Sequence, residues 1–128
     1  MNQENYLHKT QYDFGIIYYY HGFVVGKMNA GQLVDTTIAS LIIRDMQEYY
    51  KQKKFVYISN REIAHHVDLS VYKLVDAKKM IGIAIVSQEE SALSQVSAEQ
   101  KLYNGSFGYF KTMASAISWA QMLVEQPN

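Results

Sequence analysis

The densest group of chemistry-bearing side chains lies in the segment "AHHVD", which contains His65, His66 and Asp68. Imidazole and carboxylate groups are zinc ligands. Adjacent histidines in an extended loop point in opposite directions, so a metal site would need a third ligand from far along the chain, such as His8 or His21. We therefore predict a solvated loop in front of a capped helix, with neither a metal site nor a cofactor.

Ser70 follows two residues after Asp68, at the beginning of a predicted helix. The N-terminus of a helix favours an added phosphate, so Ser70 is a candidate phosphorylation site. The alternative is that Ser70 is an ordinary first-turn residue without a regulatory role. The pattern favours this second interpretation.

The sequence offers no arrangement that is typical of catalysis. Nucleophilic catalysis needs a serine, a base and an orienting group together, and the serines here fall mostly in predicted helices and caps, without a Gly-x-Ser-x-Gly elbow. A Gly-x-Gly-x-x-Gly or phosphate-binding loop is also missing from the sequence. The pair Glu89-Glu90 is explained by the first turn of a helix. We predict that the protein is not an enzyme.

The stretch "GIIYYYHGFVVGKM" is unusually aromatic, in a chain that contains eleven tyrosines. On a strand, Tyr18 and Tyr20 share one face and Tyr19 lies on the other, with Phe23 opening the next strand. Three interpretations stay open for these four residues: packing within the sheet, a homodimer interface, or the lining of an apolar-ligand site. Six methionines and five phenylalanines also suit an adaptable apolar pocket.

The amino-acid composition restricts which partners and which location are expected for this protein. Twelve basic residues balance twelve acidic ones, which predicts no nucleic-acid partner because such binding needs a clustered basic face. The chain has no cysteine, so disulfides and thiol chemistry are excluded. Its beginning is too polar for a secretory signal, and its apolar runs fall short of the roughly 18 to 20 residues that span a bilayer. We expect a cytoplasmic protein without an integral membrane segment.

The strands and helices that would position these residues are predicted from hydrophobic periodicity and turn signals. Strands at Phe14–Tyr20 and Phe23–Met28 form a predicted antiparallel hairpin, with a bulge at Gly26. A long helix follows, capped by Asn29 and ending near the cluster "KQKK". The remaining predicted elements are strands at 55–59, 81–87 and 107–111, and helices at 69–79, 89–103 and from Thr112 onward.

This order predicts an α/β fold with a mixed, mostly parallel sheet, an N-terminal antiparallel hairpin, and helices packed on the sheet. Residues 1–13 are expected to form a polar N-terminal arm, and 1–128 to form a single domain.

The order of elements resembles that of the STAS domain, the fold of SpoIIAA-like anti-sigma-factor antagonists, which is related to lipid-carrying CRAL-TRIO domains. The hairpin, the helix "NAGQLVDTTIASLIIRDMQEYY", the segment "VDLSVYKLVDAKKMIGIAIVS" and the ending "FGYFKTMASAISWAQMLV" carry the likeness. It covers nearly the whole chain from Phe14. The antagonists have a phosphorylatable serine in an Asp-Ser-Ser-Gly-like turn, and here the only aligned hydroxyl is that of Ser70.

The resemblance implies a non-catalytic binding or regulatory module that forms a homodimer or binds a protein partner. One alternative is a carrier of a small apolar ligand or lipid, with transient membrane association. The other is a protein-partner switch controlled by phosphorylation of Ser70. A carrier should contain a cavity between the sheet and a movable helix, and the segment Glu89–Tyr103 is the predicted lid because its apolar face is the thinnest.

Overall fold

The structure, a computed structural model, describes residues 5–126. Strands and helices alternate along most of this range. The strands are β1 (His8–Tyr12), β2 (Gly15–Tyr19), β3 (Phe23–Met28), β4 (Leu33–Val34), β5 (Phe55–Asn60), β6 (His66–Val67), β7 (Met80–Val86) and β8 (Ser106–Phe110). The α-helices are α1 (Thr36–Tyr50), α2 (Leu93–Leu102) and α3 (Met113–Glu125), with 3₁₀ helices at Leu69–Leu74 and Glu90–Ala92.

The main sheet has six strands in the order β1-β2-β3-β5-β7-β8. Strands β1, β2 and β3 are antiparallel, and the pairs from β3 onward are parallel. Strands β4 and β6 form a separate small parallel pair. The predicted α/β class, with a mixed sheet and an antiparallel start, is confirmed.

The two faces of the sheet are covered unequally. Right-handed connections that always step in the same direction along a sheet place their helices on one face. Accordingly α1, the 3₁₀ helix Leu69–Leu74 and α2 pack on the face that carries Val24 and Ile83. Helix α3 packs on the opposite face, against Val25 and Ile58. Any space between the sheet and the connecting helices therefore lies on the first face.

The N-terminal region differs from the polar arm expected for residues 1–13. Residues His8–Tyr12 form strand β1, which pairs antiparallel with β2 so that Lys9 lies opposite Tyr18. The strand is polar because it lies at the edge of the sheet, where charged side chains reach water and discourage pairing with another chain. Hydrophobic alternation in the sequence does not predict a strand of this composition.

Helix α1 begins later than predicted. Its N-cap is Asp35, whose carboxylate accepts a hydrogen bond from the Ile38 N–H at 3.0 Å. The predicted cap Asn29 instead donates through its side-chain amide to the Asp13 carbonyl at 2.7 Å. Gly31 has a positive φ of 73°, which suits glycine and keeps this stretch out of the helix.

Two further elements differ in kind from their predictions. The helix predicted at 69–79 is a 3₁₀ helix that ends at Leu74, although its predicted cap, Asp68, is confirmed. Gly26 forms no bulge and pairs in regular register with Ile17. An added Cβ there would lie 2.4 Å from the hydroxyl oxygen of Tyr57, so this glycine makes room for the tyrosine ring.

Within residues 5–126, no helix has the length and apolar character needed to cross a membrane.

Candidate ligand-binding cavity

The apolar strand β5 ends in two buried polar residues, and a third follows directly after it. Ser59 and Asn60 are each 2% exposed and Arg61 is 7% exposed. A buried arginine needs a partner that compensates its charge, because an isolated ion away from water is very unfavourable. The end of β5 is therefore the place where a polar site can be built inside the fold.

Glu99 of α2 is the partner of Arg61. Its two carboxylate oxygens each accept from one terminal nitrogen of the guanidinium at 2.6 Å, and Glu99 is 0% exposed. The Arg61 Nε donates to the Ser59 hydroxyl at 3.0 Å. Burial by itself lowers the pKa of Arg61, but the hydrogen bonds and charge of Glu99 outweigh it and raise that pKa above its usual value. The pair is a bidentate, charge-assisted contact in the protein interior.

Tyr72, from the 3₁₀ helix Leu69–Leu74, extends this network. Its hydroxyl donates to Glu99 Oε1 at 2.6 Å, and the Gln95 amide donates to Oε2 at 3.3 Å. Burial, and then the negative charge of Glu99, raise the pKa of Tyr72, so it stays a protonated donor. One carboxylate thus ties α2 and the 3₁₀ helix to the end of β5.

His65 lies beside this network and is 8% exposed. Its Nδ1 atom is buried and has no hydrogen-bond partner among residues 5–126. Burial, and then the positive charge of Arg61, lower the pKa of His65 to about 4, although the charge of Glu99 and the backbone of Ile63 partly offset them. The imidazole is therefore neutral at pH 7, and one of its nitrogens has an unused capacity for hydrogen bonding.

A cavity of about 60 Å³ lies between the sheet and the pair formed by α1 and the 3₁₀ helix Leu69–Leu74. Its walls are mostly aliphatic, and the polar groups on its lining are those of the network just described. The lining residues are Val34, Ala39, Ile42, Ile43, Met46, Tyr57, Ser59, Arg61, His65, Val67, Val71, Tyr72, Val75, Met80, Ile83 and Ile85. An apolar space with a few converging polar groups is typical of small-molecule sites.

An open cleft of about 270 Å³ adjoins the cavity at the carboxyl ends of β5 and β7. Arg61, His65 and Val67 line both spaces. Ligands of open α/β sheets bind outside the carboxyl ends of the strands, so the cleft lies where a ligand would approach. The three shared residues mark the route between the cleft and the cavity.

The presence of the cavity leads to a prediction about the free energy of unfolding. Replacing Val71, on its wall, with isoleucine should raise the free energy of unfolding by about 0.5 to 1 kcal/mol because the added methylene fills empty space. The matched change Val25→Ile, on the closely packed face under α3, should lower it by about 1 kcal/mol or more. Urea unfolding monitored by circular dichroism measures both. A loss at Val71 equal to the loss at Val25 would contradict the presence of the cavity.

The residues expected to form an interface or apolar-ligand site lie apart from this cavity. Tyr19, Tyr20 and Phe23 are 1%, 6% and 5% exposed and pack inside their own chain. They present no surface to a second chain in this structure, and packing within the sheet accounts for them. Tyr18 is partly exposed, and its ring centroid lies 5.3 Å from that of Tyr6.

Ser70 also lies outside the cavity. It is partly exposed, and its hydroxyl donates to the Asp68 carboxylate at 2.8 Å. A phosphate on Ser70 would stand beside that carboxylate, and the like charges would disrupt the cap of the 3₁₀ helix. His65 is buried and His66 is exposed, and residues 5–126 contain no group of three or more His, Asp or Glu residues placed to hold a metal ion.

The segment predicted as a lid does not line the cavity. On α2, Leu93 and Leu102 are 53% and 48% exposed, whereas Val96 and Glu99 are buried. The spacing of Leu93, Val96 and Leu102 predicts an apolar face for this helix, and of these three only Val96 is buried, while Arg61 draws Glu99 inward. The sequence reasoning missed Arg61, Glu99 and Tyr72, and the one available signal was an arginine directly after a buried strand.

Comparison of the sequence with models of known protein families gives no match, and comparison with curated proteins gives none either.

Proposed function

We propose that this protein is a non-catalytic binding module that holds a small, mostly apolar molecule in the cavity between the sheet and α1. The observation that carries the proposal is the mostly aliphatic cavity with a polar side at the carboxyl end of β5. The adjoining cleft supports it, because it gives a ligand a route from solvent.

Binding without catalysis is supported by the way the charged groups are used. Arg61 and Glu99 neutralise each other, and Tyr72 is committed to Glu99. The Ser59 hydroxyl accepts from Arg61, and within residues 5–126 no hydrogen bond joins it to His65. A nucleophile and its base must lie within hydrogen-bond reach of each other, so this arrangement favours binding over reaction.

The size of the space favours a small ligand over a lipid. About 60 Å³ is room for about four to six water-sized positions, since each needs about 10 to 15 Å³. A lipid chain needs several times that room. We propose a STAS-like class for this protein from the antiparallel start and parallel continuation of its sheet. Within that class, we propose that the module binds a small molecule.

Methyl NMR under xenon pressure tests this function, because xenon is a single apolar atom small enough for this volume. With ¹³C-labelled methyl groups in the full chain, we expect saturable shifts at Ile42, Val71 and Ile83, which line the cavity. Val25 and Ile58, on the opposite face, serve as internal controls and should not move. Val71→Ile should weaken the binding because it occupies part of the space. Shifts that do not saturate, or that are equal on both faces, would refute the proposal.

A further inference from the structure

The unpaired nitrogen of His65 points to the chemistry of the ligand. Buried polar atoms are nearly always hydrogen-bonded, and leaving one unpaired destabilises the fold. His65 Nδ1 is buried without a partner in the described chain, and the residue lines the cavity. A cavity occupant that pairs with this atom would remove that destabilisation.

The charges around the cavity specify a neutral occupant. The single positive charge of Arg61 is matched by the single negative charge of Glu99. Burial raises the pKa values of Tyr57 and Tyr72 and lowers that of His65, so all three are uncharged at pH 7. A charged ligand would introduce a buried charge without a counter-ion, which is strongly unfavourable.

A hydroxyl is the group that suits His65 in either tautomer. The unpaired nitrogen is a donor in one tautomer of neutral imidazole and an acceptor in the other. A hydroxyl both donates and accepts, whereas a carbonyl oxygen only accepts. Ser59, Arg61 and Tyr72 on the lining already hydrogen-bond within the network, and most of the other lining residues are aliphatic. The remainder of the ligand is therefore expected to be mostly hydrocarbon.

We infer that the cavity binds a small uncharged alcohol of about four to six non-hydrogen atoms, with its hydroxyl on His65 Nδ1 and its hydrocarbon part between the sheet and α1. This inference rests on the proposed function and specifies its ligand class. Because His65 also lines the open cleft, the hydroxyl end faces the route to solvent and the hydrocarbon end faces Ile42 and Val71.

The test compares 2-propanol with isobutane, which have the same shape and differ in a hydroxyl and a methyl group. Dissociation constants for both are measured by methyl NMR in wild type and in His65→Phe. We expect the ratio of 2-propanol affinity to isobutane affinity to fall about tenfold in His65→Phe, since one hydrogen bond is lost. The control His66→Phe, at the exposed neighbouring residue, should leave the ratio unchanged.

A second measurement keeps the test valid if His65→Phe does not fold. In the ¹⁵N-labelled wild type, 2-propanol should shift the His65 Nδ1 resonance and isobutane should not. If both probes bind and neither the ratio nor the ¹⁵N resonance responds to the hydroxyl, the inference fails while the proposed function stands. If neither probe binds, both fail. Tighter binding of acetate or isopropylammonium than of 2-propanol would overturn the requirement for a neutral ligand.

Discussion

Replacing Arg61 with methionine is expected to lower the free energy of unfolding by about 3 to 5 kcal/mol. The change leaves Glu99, which is 0% exposed, as a buried negative charge without its cation. It also removes the donor to the Ser59 hydroxyl. Since small domains are stable by only about 5 to 15 kcal/mol, this single substitution would approach the limit of folding. Urea unfolding at pH 7 measures the loss.

Arg44→Met is the matched control for this prediction. Arg44 pairs with Asp45 at 3.3 Å, but its side chain is 63% exposed. Exposed ion pairs contribute about 0 to 1 kcal/mol, so Arg44→Met should cost less than about 1 kcal/mol. The double variant Arg61→Met/Glu99→Leu should recover part of the lost stability, because it removes both buried charges together. Equal losses at Arg61 and Arg44 would contradict the structural role of the buried pair.

The second large effect is a loss of stability in mild acid caused by His65. The folded-state pKa of about 4 lies below the ordinary value of 6.5. Between these values the unfolded chain binds a proton at His65 and the folded chain does not. The free energy of unfolding should therefore fall as the pH is lowered from 6.5 to 4, by up to about 3 kcal/mol, and this contribution should level off below pH 4.

The sign and the size of this pH effect on the free energy of unfolding depend on the surroundings of His65. Burial and the charges of Arg61 and His66 oppose protonation, and the charge of Glu99 favours it. Other carboxylates also titrate in this range, so the quantity to measure is the difference between wild type and His65→Gln in urea unfolding at several pH values. The difference should shrink as the pH falls. In the control His66→Gln most of the pH dependence should remain, because burial and the charge of Arg61, the two largest causes of the lowered pKa of His65, are kept. A constant difference would show that His65 titrates normally in the fold.

The parts of the fold that follow from local pattern were predictable from the sequence. Strands β5 and β7 are continuous apolar runs, and α3 combines a threonine cap with small apolar residues at helical spacing. Strand β1 was missed because an edge strand needs no apolar face. The start of α1 was misplaced because Asn29 and Asp35 both have the chemistry of a cap, and only tertiary pairing through β4 and β6 selects Asp35.

The site was less predictable than the fold. Arg61 and Glu99 are 38 positions apart, and they meet only because β5 and α2 are brought together by the sheet order. In the sequence, Glu99 lies on a predicted helix face that could equally well be exposed to solvent. The aromatic stretch Tyr18–Tyr20 carried the strongest composition signal, yet most of it serves the core. Burial of a charged pair is a tertiary property, and periodicity alone does not report it.

A crystal structure of the full chain soaked with 2-propanol would test the central claim most directly, namely that the cavity between the sheet and α1 is a ligand site. We predict density for one 2-propanol among Ile42, Val71 and Ile83, with its oxygen within hydrogen-bond distance of His65 Nδ1. A cavity that stays empty or holds only water at a 2-propanol concentration that saturates the NMR shifts would contradict the account.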